Sequence, residues 1–476
     1  MLFNSINFII FFVAVVIIYY LLPKNSFRKV FLLGSSYYFY ACFDLTMLSI
    51  LLFETIVAYT YGKSFIKSKN KIVLISVIIL MFLPLICFKY LNFMMESVDD
   101  ALSLTNLTVS MPSFELMLPI GISFYTFMAV GYVIDVYKDK VLPENKILDF
   151  ALFVGFFPQI ASGPIGRAGQ LMPQLKEKKL LLYDNITAGV KMMLWGFFMK
   201  LVVGDRAGIY VDTVFGSYTH HNGTSLLLAT FMYTIQIYCD FAGYSLIAIG
   251  AAKTMGYDLM ENFHRPYFAT SVADFWRRWH ISLSTWFRDY VYFPCGGSRC
   301  STLYTYRNLM ITFLVSGLWH GAAYNFILWG GYHGINQVIG KLLVPFKGNC
   351  RKLLHIGDTS LIRKSWNIAF TFCLIAYGWM LFYAPNMKFI VNVTKGYFHL
   401  GTPYIHQTTI FFFTIGFVLL LIKDFKDEFF ADRVIRFEGR FPRLAIVWHY
   451  LKFVIIAILI VWIGILGGGQ FIYFRF

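Results

Sequence analysis

Apolar residues run along this chain in blocks about as long as a bilayer crossing, separated by short polar and basic segments. A membrane span needs about 20 largely apolar residues. Runs of that kind lie near 6–22, 30–43, 45–61, 72–93, 116–136, 147–162, 186–204, 225–250, 304–320, 322–345, 366–384, 408–422 and 444–466. Several are short for a crossing and predict re-entrant or joined segments. The pattern predicts an all-α integral membrane protein with roughly 10–13 membrane helices or re-entrant segments. No unit of 20–50 residues recurs, so residues 1–476 are read as one membrane domain.

Composition agrees. Hydrophobic residues make up 58% of the chain and charged ones 14%, against about a quarter charged in soluble domains. The excess apolar surface must face lipid. The first run, Asn7 to Leu22, is followed by Pro23-Lys24 rather than by small residues, which predicts a first span and not a cleaved leader. The net charge of +16 raises nucleic acid or anionic lipid as a partner. The basic residues sit in short connections between apolar runs, which is how topology is set and not how a nucleic-acid groove is built. The partner expected is membrane lipid.

Those connections also predict orientation. Lys24, Arg28 and Lys29 follow the first run, and Lys63, Lys67, Lys69 and Lys71 the third. Lys138, Lys140, Lys146, Arg167, Lys176, Lys178 and Lys179 fall on the same side. By contrast 94–114 carries Glu96, Asp99 and Asp100 without a Lys or Arg, and 215–224 carries no charge. Basic loops belong to the cytoplasm, so both termini are expected outside. Cys42, Cys87, Cys239 and Cys373 lie in apolar runs and read as small buried hydrophobes. Cys295 and Cys300 bracket a Gly-Gly-Ser-Arg turn, but no second pair accompanies them and no metal site is expected.

The longest stretch of mixed polarity, Gly256 to Thr305, interleaves Asp274, Arg277, Arg278, His280, Arg288 and Asp289 with Phe275, Trp276, Trp279, Trp286, Phe287 and Tyr290. For most of these residues an interfacial amphipathic helix, anchored at the headgroups, is the plainest reading. His280 alone reads as an interfacial side chain. Arg277 and Arg278, with Trp279 beside them, suit the phosphates of a donor such as coenzyme A, or equally anionic headgroups.

His320 differs. It sits in Ser-Gly-Leu-Trp-His-Gly-Ala-Ala, and a helix running from Arg307 would carry it roughly 20 Å along the segment. An ionisable group at such depth is either a site residue or a histidine pinned between helices. Gly317 and Gly321 on either side let another backbone or a ligand approach, which favours a site. Asp240, in Tyr-Cys-Asp-Phe-Ala-Gly-Tyr-Ser, is a carboxylate in an apolar run, read first as a buried ion-pair partner. Pro158-Gln159 and Ser162-Gly163-Pro164 break the 147–162 run, a break tolerated only against protein or a cavity. The last ten residues join a triple glycine to an aromatic tail, Phe471-Ile472-Tyr473-Phe474-Arg475-Phe476. It is either an interfacial anchor or a segment that folds back and presents Tyr473 to the interior.

Together these blocks resemble the membrane-bound O-acyltransferase family. Ser316-Gly317-Leu318-Trp319-His320-Gly321-Ala322, followed by Trp329-Gly330 and His333-Gly334, is similar to the family signature. Phe275 through Tyr290 resembles its second histidine block. Leu118-Pro119-Ile120-Gly121-Ile122-Ser123-Phe124-Tyr125 and Phe157-Pro158-Gln159 through Gly163-Pro164 resemble blocks of its bacterial alginate O-acetyltransferase subfamily.

The resemblance implies a ring of helices around a central tunnel, with a catalytic core over about 115–345 and an aromatic tail at 467–476. In the tunnel a cytoplasmic acyl thioester meets an external acceptor. It implies His320 as catalytic base, His280 as a donor-side site residue, and Asp240, Trp319, Gly317 and Gly321 as support. Tyr473 becomes an acyl relay to an external partner transferase. No tightly bound cofactor is implied; acetyl-coenzyme A is the expected donor and an extracytoplasmic polysaccharide the acceptor, in a bacterial inner membrane. D-alanyl transfer from a carrier protein to teichoic acid is the rival within the family. A secondary transporter relaying protons through His320 and Asp240 is the rival outside it.

Overall fold

The computed structural model describes residues 1–65, 68–103, 114, 118–353, 360–433, 440–467 and 471–472. Regular structure among them is helical throughout. Seven of the described helices are long and apolar enough to cross a membrane: Leu45–Ser64, Lys71–Leu102, Tyr183–Gly216, Gly223–Thr254, Leu361–Tyr383, Gln407–Phe429 and Pro442–Ile463. Ile6–Leu21, Ile122–Tyr137 and Ile147–Ile160 are shorter apolar helices. Thr302–His320 and Tyr324–Leu353 cover the runs expected at 304–320 and 322–345. The all-α membrane architecture read from the sequence is the one observed.

The chain forms two compact units. The first comprises Met1–Val190, Ala248–Met260 and Gly321–Ala323. In it Asn25–Ala41, Leu45–Ser64 and Ile122–Tyr137 pack against Ile147–Gly155. The 147–162 run breaks where the sequence requires. The helix stops at Gly155, and Pro158 starts a single further turn, Phe157–Ile160. Every residue from Phe150 to Ile160 is buried, so the irregular backbone is enclosed by protein, as lipid would demand. Gly121 faces this break with φ 76°, and a Cβ there would strike the carbonyl of Ile160. Only glycine meets both conditions. Charges that belong to the loops are tied down: Lys29 pairs with Asp149 at 2.7 Å, and Arg28 donates to the carbonyls of Leu22 and Lys179.

The second unit comprises Lys191–Ile247, Glu261–His320 and Tyr324–Phe476. Its closest helix pair is Thr302–His320 against Tyr324–Leu353. They touch backbone to backbone through a glycine pair. A Cβ on Gly317 would meet the carbonyl of Phe326, and one on Gly330 the carbonyl of Phe313. Such small-residue contacts let helices approach closely where lipid provides no hydrophobic drive. The helix Tyr183–Gly216 changes character midway. Residues Phe198–Gly204 form a π-helical turn, all seven of them buried, before α-helix resumes at Asp205.

Two expectations are corrected here. Phe275, Trp279, Trp286 and Phe287 are buried and do not anchor a surface helix. The segment is two short helices, Val272–Arg278 and Ile281–Phe287, broken at His280, whose φ of 42° lies in the left-handed region. That break takes the aromatics into the core, where Trp279 lies 4.7 Å from Trp379 between ring centres. Of the cysteines, Cys239 is buried but Cys42 and Cys373 are exposed. In a membrane protein an apolar run has a lipid-facing side as well as an inner one.

Candidate functional site

His320 is the last residue of Thr302–His320 and is buried. Its imidazole is enclosed by rings, 4.8 Å from Trp319, 4.9 Å from Trp329 and 5.2 Å from Phe382 between centres. His280 caps the second short helix with its left-handed backbone and is also buried. Asn262 orients it. The Asn262 side-chain oxygen lies 3.1 Å from His280 Nδ1 and accepts from the Ser282 backbone N–H at 3.2 Å and its hydroxyl at 2.9 Å. An oxygen that already accepts twice makes Nδ1–H the donor of the third bond, which leaves Nε2 as the basic nitrogen. His280 lies outside the membrane-spanning helices, and burial pushes its imidazole down to about 3, so it is neutral near physiological pH.

The two histidines line one cavity of about 520 Å3. Ser284, Thr285, Thr312, Ser316 and Gln337 add hydroxyl and amide groups to its wall, and Trp276, Trp279, Phe287 and Phe313 supply apolar surface. Two cations, Arg277 and Arg288, complete the lining. A mostly apolar cleft with a few convergent polar groups and two buried imidazoles is the form a small-molecule reaction site takes.

The neighbouring arginines part company. Arg277 is exposed and lines the cavity. Arg278 turns away, donating to both oxygens of Glu428 at 3.0 and 3.1 Å and pairing with Asp274 at 3.3 Å. Arg265 joins the same Glu428 at 2.8 Å. This network ties the short helix Val272–Arg278 to Gln407–Phe429. Trp319 is buried beside His320, and Gly317 lies at the helix crossing one turn before it. Gly321 follows His320 in the chain and groups with the first unit. His333 does not line the cavity; its ring meets those of Trp276 and Trp329 edge to face, 5.0 and 4.9 Å away between centres.

Asp240 is a buried ion-pair partner. It pairs with Lys200 of the π-helical turn, and Lys200 pairs with Asp205 at 2.7 Å. Its other oxygen accepts the backbone N–H of Ile472 at 2.7 Å. Phe471 and Ile472 are both buried, with Phe471 stacked on Tyr244 at 4.6 Å and Phe241 5.5 Å away. Phe241 in turn lies 4.6 Å from His280. Phe471 and Ile472 of the tail are therefore seated in the second unit. Tyr473 lies outside the described residues.

The sequence reading missed Asn262, Glu428 and Lys200. For Lys200 a signal existed, a lysine near the end of the apolar run 186–204 with only apolar residues and glycine between it and Lys191. Asn262 and Glu428 act on residues 18 and 150 positions away, and no local pattern announces them. Among the described residues no three His, Cys, Asp or Glu side chains gather as a metal set.

The sequence profile of the membrane-bound O-acyltransferase family matches residues 142–384, which include both cavity histidines, Asp240 and Arg277. The chain is 36% identical over 413 residues to a probable alginate O-acetylase of Pseudomonas aeruginosa, covering 84% of this chain and 76% of that protein. It is 33% identical over 435 residues to a peptidoglycan O-acetyltransferase of Helicobacter pylori, covering 83% and 79%. A teichoic acid D-alanyltransferase of Bacillus subtilis is 29% identical over 281 residues, 57% of this chain and 70% of the relative.

Proposed function

Since the chain belongs to the membrane-bound O-acyltransferase family, we propose that it moves an acetyl group from cytoplasmic acetyl-coenzyme A towards hydroxyls of an extracytoplasmic polysaccharide. The observation that carries this reading is the single cavity shared by His280 and His320, each delivered by a different helix. His320 is the base. It takes the proton of an attacking hydroxyl as the oxygen bonds to the thioester carbonyl carbon; the carbon–sulfur bond then breaks and the thiolate leaves. Imidazole suits the task because its ordinary pKa lies near neutrality. His280, neutral and oriented by Asn262, serves the donor side of the cavity, and Trp279 packs against the donor. Arg277 meets donor phosphate at the mouth, while Arg278 holds the short helix in place through Glu428 and Asp274.

The attacking hydroxyl is that of Tyr473, which passes the group to an extracytoplasmic partner transferase. A phenol ester is reactive enough to hand the acetyl group on. The burial of Phe471 and Ile472 next to the site supports this reading. The protein works in a bacterial inner membrane with its basic loops in the cytoplasm and both termini outside.

The test is acetylation of envelope polysaccharide in cells carrying His320→Ala or Tyr473→Phe, at matched protein levels. His320→Ala should lower it by about 10²–10⁴-fold, the usual worth of a general base. Wild-type acetylation in that variant would dismiss the assignment of the base. Normal acetylation in Tyr473→Phe would remove the relay alone. Transfer that depends on a carrier protein and not on coenzyme A would overturn the donor.

A further inference from the structure

The mechanism above makes no use of the buried charge cluster on the π-helical turn. Lys200, Asp205 and Asp240 have side chains only 2%, 8% and 4% exposed. Two carboxylates face one ammonium, so the cluster carries an acceptor in excess. Charge at this depth is expensive and persists where it is fully hydrogen-bonded. The excess acceptor, the second Asp240 oxygen, is met by the N–H of Ile472, 232 residues further along the chain.

The turn and the helix that follows it also hold the chain at two points before the tail. Arg206 donates to the carbonyl of Ile463 at 2.6 Å, and Ile465 donates its N–H to the carbonyl of Leu201 at 3.1 Å. Residues 463, 465 and 472 are thus fastened to 206, 201 and 240. The platform beneath is stiff, because the helices bearing Lys200 and Asp240 meet at Gly196 and Gly243. A Cβ on either glycine would approach the other's carbonyl to 2.6 or 2.8 Å. Lys200 also lies 5.6 Å from the centre of the Tyr244 ring on which Phe471 stacks.

We infer that Asp240, held by Lys200 on the π-helical turn, is a positioning residue for the C-terminal tail: it latches the Ile472 N–H and so seats the segment that leads into Tyr473. This rests on the relay reading only for what the seated tail does next. The latch itself is a statement about Asp240 and Ile472. A purely structural ion pair would need Lys200 and Asp205 but would be indifferent to a tail amide.

Two substitutions separate these roles. Ile472→Pro removes the backbone N–H that Asp240 accepts from the tail and leaves all three charges in place. Asp240→Leu removes the acceptor, whereas Asp240→Asn keeps an oxygen that still accepts an N–H. The measurement is hydrogen–deuterium exchange of the full-length protein in detergent, followed at the peptide covering 464–476. Exchange there should rise about ten- to a hundredfold in Ile472→Pro and Asp240→Leu, the factor that one lost charge-assisted hydrogen bond represents. Asp240→Asn should stay within a few-fold of the parent, and peptides from Thr302–His320 should not change. If Asp240→Leu fails to fold, Ile472→Pro carries the test alone. Wild-type protection of the tail in Ile472→Pro overturns the latch. Polysaccharide acetylation in the same variants reads the relay separately. A tail that exchanges freely while acetylation stays normal upholds the latch and removes the tail from the transfer.

Discussion

Two helices of this protein put hydrophobicity to opposite use. Pro442–Ile463 is the more apolar, yet only 6% of its span is buried; Gly223–Thr254 is less apolar, and 83% of its span is buried. A water-soluble protein would reverse that order. In a bilayer the surrounding tails are as apolar as leucine, so hydropathy offers no reason to hide a helix. What draws Gly223–Thr254 inward is what lipid cannot satisfy. Asp240 needs Lys200, and the Tyr238 hydroxyl finds Asp424 at 3.0 Å. In such a chain the polar residues of an apolar run mark the interior, and the purest apolar runs mark the outside.

Substitutions on the two helices test this contrast. The largest cost is expected from Phe241→Ala on the buried helix, about 3–5 kcal/mol, because a fully enclosed ring is replaced by a cavity. Thermal unfolding in detergent would measure it. Next comes Val454→Asp, midway along Pro442–Ile463 and exposed. A charge placed there meets lipid, and its penalty of about 2.5–3.5 kcal/mol should appear as a fall in the inserted fraction. Gly243→Ala forces a Cβ to 2.8 Å from the Gly196 carbonyl. Crowding of that kind costs about 1–3 kcal/mol, again read by unfolding. Smallest is Val454→Leu, below about 0.5 kcal/mol, since lipid accepts either side chain. A Val454→Leu penalty equal to that of Phe241→Ala would erase the distinction between the two helices.

The same contrast governs what could be read in the sequence. Most apolar runs became helices near the expected limits, because bilayer thickness imposes a length on any chain that crosses it. His320 stood out in the sequence because a lone imidazole deep in an apolar run is costly, and the structure places it, buried, in the wall of the cavity. The break after Gly155 was legible through Pro158 and Gly163. The 272–292 segment was not. Its aromatics and arginines have an interfacial composition, and only the left-handed turn at His280 folds them into the core. Arg277 and Arg278 are adjacent and alike in sequence, and Glu428, remote in the chain, together with Asp274 separates a cavity residue from a strut. The tail's partners were equally hidden, since periodicity reports on neighbours and Asp240 is far from Ile472.

The π-helical turn at Phe198–Gly204 has a consequence of phase. A π turn is an α-helix carrying one surplus residue, and each residue advances an α-helix by about 100°. Deleting a single residue from the turn would restore ordinary α geometry. It would also rotate everything on one side of it by that angle against everything on the other. Lys200 and Asp205 lie within and just beyond the turn, so their bearing towards Asp240 is set by that surplus. The helix works as a dial with an offset, and one residue holds the setting.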